Sequence, residues 1–211
     1  MSYHDNLERK GGAGDDPLSV NDMLVTVNDF LASAPGYDVI AESGDMLFGG
    51  LEVRVPAPGI YMAQGFYASM GFGIPAAIGA QIGTGRRPLV LCGDGAFQMT
   101  GVEISHAPKR GLNPIVVLVN NEGWSIFRPV TPRQELLEIP NWPYAQMAEG
   151  WGGLGFRAAT AGELREALRE AHGSHQFALI ECTIPRDDLS PISRRYIEAS
   201  AKKASAGGSA S

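Results

Sequence analysis

A doubly wound α/β fold, with a mainly parallel sheet and helices on both faces, is what this sequence predicts. Three observations lead to it. Apolar runs without polar alternation recur at residues 38–42, 89–92, 115–119 and 177–184, as expected of strands covered on both faces. Helix-length segments separate these runs, and strands alternating with helices build parallel crossovers. The chain has 211 residues and 44% hydrophobic content, which suits one domain with a real core.

The elements follow in order. Residues 1–17 are polar and contain glycine, which predicts a flexible arm and excludes a secretory signal. Ser19 is a good N-cap for a helix over 20–32, with Met23, Leu24, Val27, Phe30 and Leu31 on one face. Pro35-Gly36 stops it. The strand at 38–42 ends in the turn Ser43-Gly44-Asp45, and residues 48–58 read as loop. Residues 65–82 are rich in Gly and Ala and apolar nearly all round, which predicts a closely packed buried helix. Pro75 belongs in a first turn or at a kink. After the strand at 89–92, a helix is expected over 97–110, cut short by Pro108. After the strand at 115–119, a short helix is expected at 143–151 and a strand at 156–158. An amphipathic helix at 161–171 points Leu164 and Leu168 inward. The last strand covers 177–184, and a surface helix spans 190–203. The folded domain is expected to occupy 18–200, and residues 201–211 form a low-complexity tail expected to be disordered.

Composition narrows the function. Charged residues make up 19% and the net charge is −6, with Lys and Arg scattered, so there is no nucleic-acid footprint. No apolar run is long enough to cross a bilayer. Cys92 and Cys182 each lie within an apolar strand, which predicts buried free thiols. Without a disulfide framework, a cytoplasmic location is expected.

Two short motifs carry the chemistry. Gly93-Asp94-Gly95 ends one strand, and Asn120-Asn121 ends the next, with one helix between them. In a parallel βαβ unit both ends lie at the ligand-binding edge of the sheet. Asp94 and Asn121 can then share one ion, and two oxygen donors suit magnesium. Gly93 and Gly95 let the backbone approach a phosphate, and the following helix turns its free N–H groups to the same place. Gly123 frees the next turn to offer a carbonyl as third ligand. Two diphosphate oxygens and a water complete six-coordination. A competing pattern, Gly71-Phe-Gly73-Ile-Pro-Ala76, fits the dinucleotide-binding fingerprint, but residues 66–70 read as helix rather than strand before it.

Gly93-Asp94-Gly95 through Asn120-Asn121-Glu122-Gly123 resembles the thiamine diphosphate signature of the pyruvate decarboxylase superfamily. Tyr67-Ala-Ser-Met-Gly-Phe-Gly-Ile-Pro-Ala and Gly93-Asp-Gly-Ala-Phe-Gln-Met-Thr-Gly look most like indolepyruvate and phenylpyruvate decarboxylases, in their C-terminal domain only. The resemblance implies that thiamine diphosphate and Mg2+ are the cofactors. It implies Asp94, Asn121 and the Gly123 carbonyl as metal ligands, and Gly95, Ala96 and Ile126 as backbone contacts to the diphosphate. Ser43 and Asp45 fall where that family touches the cofactor. Met70 takes the place of the residue wedged beneath the bent cofactor, and the Ala68 carbonyl that of the acceptor for the pyrimidine amine. Without the resemblance, Met70 reads as core packing. Phe127 stands where pyruvate decarboxylases carry a glutamate, so with Trp124 it is expected to wall the substrate pocket, unless both aromatics simply pack beneath the loop.

One part of that family's machinery has no counterpart here. Its activating glutamate, and often a His-His pair, come from a preceding pyrimidine-binding domain, for which this chain has no room. The four histidines, His4, His106, His172 and His175, make no such pair, and His172 and His175 read as surface residues. The expectation is a diphosphate-binding subunit, beginning at its own Met1, whose partner chain supplies the glutamate and half the cleft in an α2β2 assembly. The expected reaction is decarboxylation of a 2-oxo acid. Carboligation of the acetohydroxyacid synthase type and a non-catalytic or regulatory role are the alternatives.

Overall fold

A computed structural model describes residues 7–8 and 16–207. Its centre is a six-stranded sheet in the order β2-β1-β3-β4-β6-β5, with every pairing parallel. The strands are β1 (Asp38–Ala41), β2 (Tyr61–Ala63), β3 (Pro88–Gly93), β4 (Ile115–Asn120), β5 (Leu154–Ala158) and β6 (Ala178–Thr183). β3 and β4 occupy the middle, in register from Leu89 opposite Ile115 to Gly93 opposite Val119. That register brings the two motifs to the same edge.

The helices are α1 (Val20–Ser33), α2 (Asp45–Gly49), α3 (Gly73–Thr84), α4 (Asp94–Thr100), α5 (Ala107–Arg110), α6 (Tyr144–Gly150), α7 (Ala161–Gly173) and α8 (Pro191–Gly207). They form two layers. Leu24, Val27 and Leu31 of α1, Met46 of α2, and Leu164 and Leu168 of α7 pack with Leu89, Leu91, Val117 and Ile180 on one face. Ile74 of α3, Phe97 of α4, and Tyr144 and Ala148 of α6 pack with Val90, Cys92, Val116 and Leu179 on the other. Alternate strand residues feed opposite layers because successive side chains leave a strand on opposite sides. Cys92 and Cys182 are buried free thiols, as expected.

Local chemistry sets the helix ends. The Ser19 hydroxyl accepts from the Asp22 N–H and starts α1. Thr160 and Glu163 close a capping box at the start of α7. Each such cap contributes roughly 1 kcal/mol.

The structure departs from the sequence reading in several places. The helix expected over 65–82 begins only at Gly73, because Ala68 (φ 52°) and Gly71 (φ 90°) adopt left-handed conformations that no helix tolerates. α3 also leaves one side open, with Ile82 60% exposed. β2 and α2 lie in segments without a periodic pattern: β2 has three residues, α2 has five. The helix expected from 97 starts at Asp94 itself. Pro108 does not end the next helix; it sits in the first turn of α5, which Gly111 terminates in a left-handed conformation. At the N-terminus, Leu7 packs against the core, and the Glu8 N–H donates to Asn21 Oδ1 (3.0 Å), so part of the expected arm is docked. α8 runs through Gly207, into the stretch expected as a disordered tail.

Candidate active site

A cleft of about 380 Å³ opens at the C-terminal edge of the sheet, among the segments that follow β1, β3 and β4. Each segment arrives there for a local reason. After β1, Gly44 turns the chain at φ 93° into α2, presenting Ser43, Gly44 and Asp45. After β3, the chain enters α4 directly, presenting Gly93, Asp94, Gly95 and Ala96. After β4, Glu122 takes a left-handed conformation (φ 54°). The turn it forms is pinned by the Trp124 N–H donating to the Leu137 carbonyl (2.8 Å).

Asp94 holds the second and third segments together. Its Oδ1 accepts the Gly95 N–H (2.7 Å), and its Oδ2 accepts the N–H groups of Asn121 (3.1 Å) and Gly123 (3.3 Å). The residue is 2% exposed, and no cation pairs with it among the described residues. Burial pushes its carboxyl up to about 6, against the pull of surrounding backbone N–H groups. Asn121 is buried beside it, and its Oδ1 has no hydrogen-bond partner. A buried carboxylate without a cation and a buried carbonyl without a donor are both costly in a protein interior. A hard cation relieves both, because its ligands are oxygens of this kind.

Two glycines shape the approach. A Cβ on Gly95 would lie 2.3 Å from the Trp124 ring, and one on Gly123 would lie 2.4 Å from the Leu137 carbonyl oxygen. Neither position accepts a side chain without movement of its neighbours.

The remaining predicted residues divide by what they touch. Ala68, Met70, Trp124, Ile126 and Phe127 all line the cleft. Met70 is half-buried against the α3/α4 layer, so its packing and its place in the cleft coexist. Phe127 is 49% exposed and stands at the cleft wall rather than in the core. The Ala68 carbonyl accepts from the Ser43 hydroxyl, which ties the β1 turn to the segment before α3. Asp45 lines the cleft, but its carboxylate does not serve it: the Ser190 hydroxyl (2.6 Å) and N–H (2.8 Å) take its two oxygens. That side chain anchors the start of α8. The Gly95 N–H, expected to face the diphosphate, already donates to Asp94.

Sequence reasoning missed two participants. Glu42 is fully buried, and its carboxylate accepts the Ser43 N–H (2.7 Å) and the Gly73 N–H (2.6 Å). It therefore clamps the end of β1 to the start of α3. A glutamate closing an apolar strand was the available signal. Ser125 lines the cleft with a buried hydroxyl that has no partner; nothing in its sequence context distinguishes it.

Two of the described histidines lie beside other side chains. His106 is exposed beside Glu103 (3.6 Å). His172 meets the Tyr37 hydroxyl (2.8 Å) and the edge of Phe30. His4 lies outside the described residues. Among the described residues no three His, Cys, Asp or Glu side chains cluster as a metal site, and no helix is long and apolar enough to cross a membrane. The dinucleotide pattern also lacks its context, since seven residues of turn and irregular chain separate the end of β2 from Gly71.

Comparison with known proteins agrees with this geometry. Residues 42–182 match the family described as thiamine pyrophosphate enzyme, C-terminal TPP binding domain. The chain is 39% identical over 200 residues to the indole-3-pyruvate decarboxylase of Azospirillum brasilense, covering 93% of this chain and 35% of that protein. It is 32% identical over 183 residues to an alpha-keto-acid decarboxylase of Mycobacterium tuberculosis, covering 84% of this chain and 32% of that protein. An alpha-keto-acid decarboxylase of Mycobacterium avium is 34% identical over 165 residues, or 75% and 29% of the two chains. The chain thus spans about a third of the length of these relatives. The matched region runs from Glu42 to Cys182 and contains β3, β4 and the whole of the Asp94 site. By that match, and by the site it encloses, the chain belongs to the thiamine pyrophosphate enzyme family, as its C-terminal cofactor-binding domain.

Proposed function

We propose that this chain is the diphosphate-binding subunit of a cytoplasmic 2-oxo acid decarboxylase. In this reading it holds Mg2+ and the diphosphate end of thiamine diphosphate, and a second chain with the pyrimidine-binding domain completes the cleft in an α2β2 assembly. The observation that carries the reading is the pairing of a buried, cation-free Asp94 with the unpartnered Asn121 Oδ1. Asp94, Asn121 and the Gly123 carbonyl would hold the magnesium ion. An all-oxygen set of one carboxylate and neutral carbonyls suits that metal, which keeps its remaining positions for phosphate and water.

When bound, the cofactor supplies the electron sink for loss of carbon dioxide. The chain's own residues bind, orient and exclude water. Gly95 leaves the Trp124 ring free to lie close above the start of α4. Met70 is placed as an apolar support within the cleft, with a flexible thioether suited to a curved ligand. Phe127 and Trp124 give the cleft an apolar wall beside it, which favours an apolar substrate side chain. The names of the relatives support decarboxylation over carboligation.

Among the described residues, the cleft offers no uncommitted carboxylate to activate the cofactor, which supports a partner-supplied glutamate. Of the cleft's two carboxylates, Asp94 is held by backbone N–H groups and Asp45 by Ser190. Beside the cleft, Phe66 and Tyr67 are 93% and 79% exposed, which supports a covering partner. The test is co-purification of the native complex, followed by a 2-oxo acid panel with thiamine diphosphate and Mg2+. The complex is expected to release carbon dioxide and aldehyde, and the purified single chain to be inactive. Strong turnover by the single chain would remove the partner from the proposal; acyloin products would replace decarboxylation by carboligation.

A further inference from the structure

The sheet sends neighbouring connections to opposite faces at two places, and the cofactor cleft occupies only one of them. β1 leads into α2, whose Met46 belongs to one core layer, and β3 leads into α4, whose Phe97 belongs to the other. β4 and β6 diverge in the same way. β4 leads to α6, whose Tyr144 and Ala148 pack in the α3/α4 layer. β6 leads to α8, which packs on α2 at the opposite face. Open α/β sheets bind ligands where neighbouring connections part like this. A second crevice, of about 580 Å³, lies there, at the C-terminal ends of β4, β5 and β6.

Its floor is polar and fixed. Asn120 is 5% exposed and Glu181 is 6% exposed. Asn120 Nδ2 donates to Glu181 Oε1 (2.8 Å) and to Asn141 Oδ1 (3.0 Å). Two acceptors around the nitrogen set the amide's orientation, and the opposite atom, Oδ1, is buried without a partner. Glu181 Oε2 accepts the Ala145 N–H (3.3 Å) and lies 3.5 Å from Arg157 Nε. Asn120 Oδ1 thus calls for a donor, and the Glu181 carboxylate, though its oxygens already accept from Asn120 and Ala145, places negative charge beside it, which favours a charged donor.

The rim supplies the opposite charge. The Arg157 side chain is 62% exposed, and Glu181 is its one ion-pair partner among the described residues. Arg186 is already engaged by Glu122 and Glu138. The crevice therefore carries two guanidinium groups and two carboxylates, Glu122 and Glu181. These charges balance, which disfavours a free anion or a free cation, and their separation, acceptor at the floor and guanidinium at the rim, suits the two ends of a zwitterion. Trp142 and Ile184 add an apolar wall.

We propose that this crevice binds a free α-amino acid with an apolar or aromatic side chain. The ammonium group sits on Asn120 Oδ1 and Glu181, the carboxylate pairs with Arg157, and the side chain lies on Trp142 and Ile184. The crevice adjoins the cofactor cleft, with Asn121 in the lining of both, but the residues that would hold the amino acid lie outside that cleft, and the proposal does not depend on the decarboxylase reading.

The test is calorimetric titration of the purified full chain with L-phenylalanine, with amide chemical shifts to locate the site. Saturable binding is expected, with shifts at Asn120, Arg157 and Glu181. 3-Phenylpropionate, which lacks the ammonium group, and L-phenylalaninamide, which lacks the carboxylate, are each expected to bind at least tenfold more weakly, the loss of about one charged contact. Arg157→Gln is expected to weaken L-phenylalanine by at least tenfold while its circular dichroism stays unchanged, with a lower melting temperature because Glu181 loses its cation. Absence of saturable binding, equal binding of 3-phenylpropionate, or full affinity in a folded Arg157→Gln protein would each overturn the proposal.

Discussion

Asp38 and Asp94 stand at opposite ends of neighbouring strands, and both are buried. Asp38 begins β1. Its Oδ1 lies 2.6 Å from Arg86 Nε and accepts the Ile60 N–H (3.1 Å), and its Oδ2 accepts from the Thr84 hydroxyl (2.7 Å). Burial pushes its carboxyl up, but these partners together outweigh burial and hold it below the usual carboxylate range. Asp94 follows β3 and has backbone N–H partners without a cation, and burial wins. The difference separates structure from function. A buried carboxylate with its cation supplied by the fold is a fastener. One to which the fold supplies only backbone N–H groups is where we propose that a cation from outside is held.

The largest effect should come from the functional aspartate. Asp94→Ala is expected to abolish magnesium-dependent binding of thiamine diphosphate, measured by calorimetry on the native complex. The same change removes a buried charge but leaves the Gly95, Asn121 and Gly123 N–H groups without their acceptor, so the chain's own stability should change far less than its cofactor affinity. Unchanged cofactor affinity would refute the metal assignment.

Asp38→Ala should behave in the opposite way. It leaves Arg86, Thr84 and the Ile60 N–H without their acceptor. Breaking a buried pair of this kind costs about 3 kcal/mol, readable as a lower urea midpoint with an unchanged slope. Cofactor affinity of the folded fraction should not change. A loss of stability well under that size would make Asp38 an ordinary surface charge and end the comparison.

The third prediction turns on pH. The Asp94 carboxyl sits at about 6 in the fold, against about 3.9 in the unfolded chain. Between those values the folded state holds the extra proton, so its contribution makes cation-free stability fall as pH rises through that window. The total is about 3 kcal/mol. Asp38 has the opposite sign: its contribution is present above about pH 4 and is lost as pH falls through its lowered folded value. Urea melts from about pH 3 to 7 in the Asp94→Ala protein should lose the first slope and keep the second. Persistence of the first slope would show that another group carries it.

How much of this was legible in the sequence depends on the kind of signal. β3 and β4 were readable as uninterrupted apolar runs, since both faces of a central strand are covered. Asp94 and Asn121 were readable because both motifs close such runs, and chain direction alone puts those ends at one edge. The segment from 65 to 72 was misread. Its Gly and Ala suit a close-packed helix, and nothing local reveals the left-handed turns at Ala68 and Gly71 that delay α3. β2 was missed because three residues make no pattern; pairing with β1 defines it.

By itself, the sequence determined the fold class, the sheet edge that carries the site, and the oxygen donors gathered there. These follow from short-range rules: burial of strands, direction of crossovers, and the chemistry of Asp and Asn. Only the tertiary structure decided which carboxylate is free for a ligand. The sequence marked both Asp45 and Asp94 for the cofactor and assigned Asp38 and Glu42 no role. Arg86, the Gly73 N–H and Ser190 claim Asp38, Glu42 and Asp45, and all three arrive from distant parts of the chain. The physical reason is that a charge is defined by its neighbours, and folding chooses the neighbours.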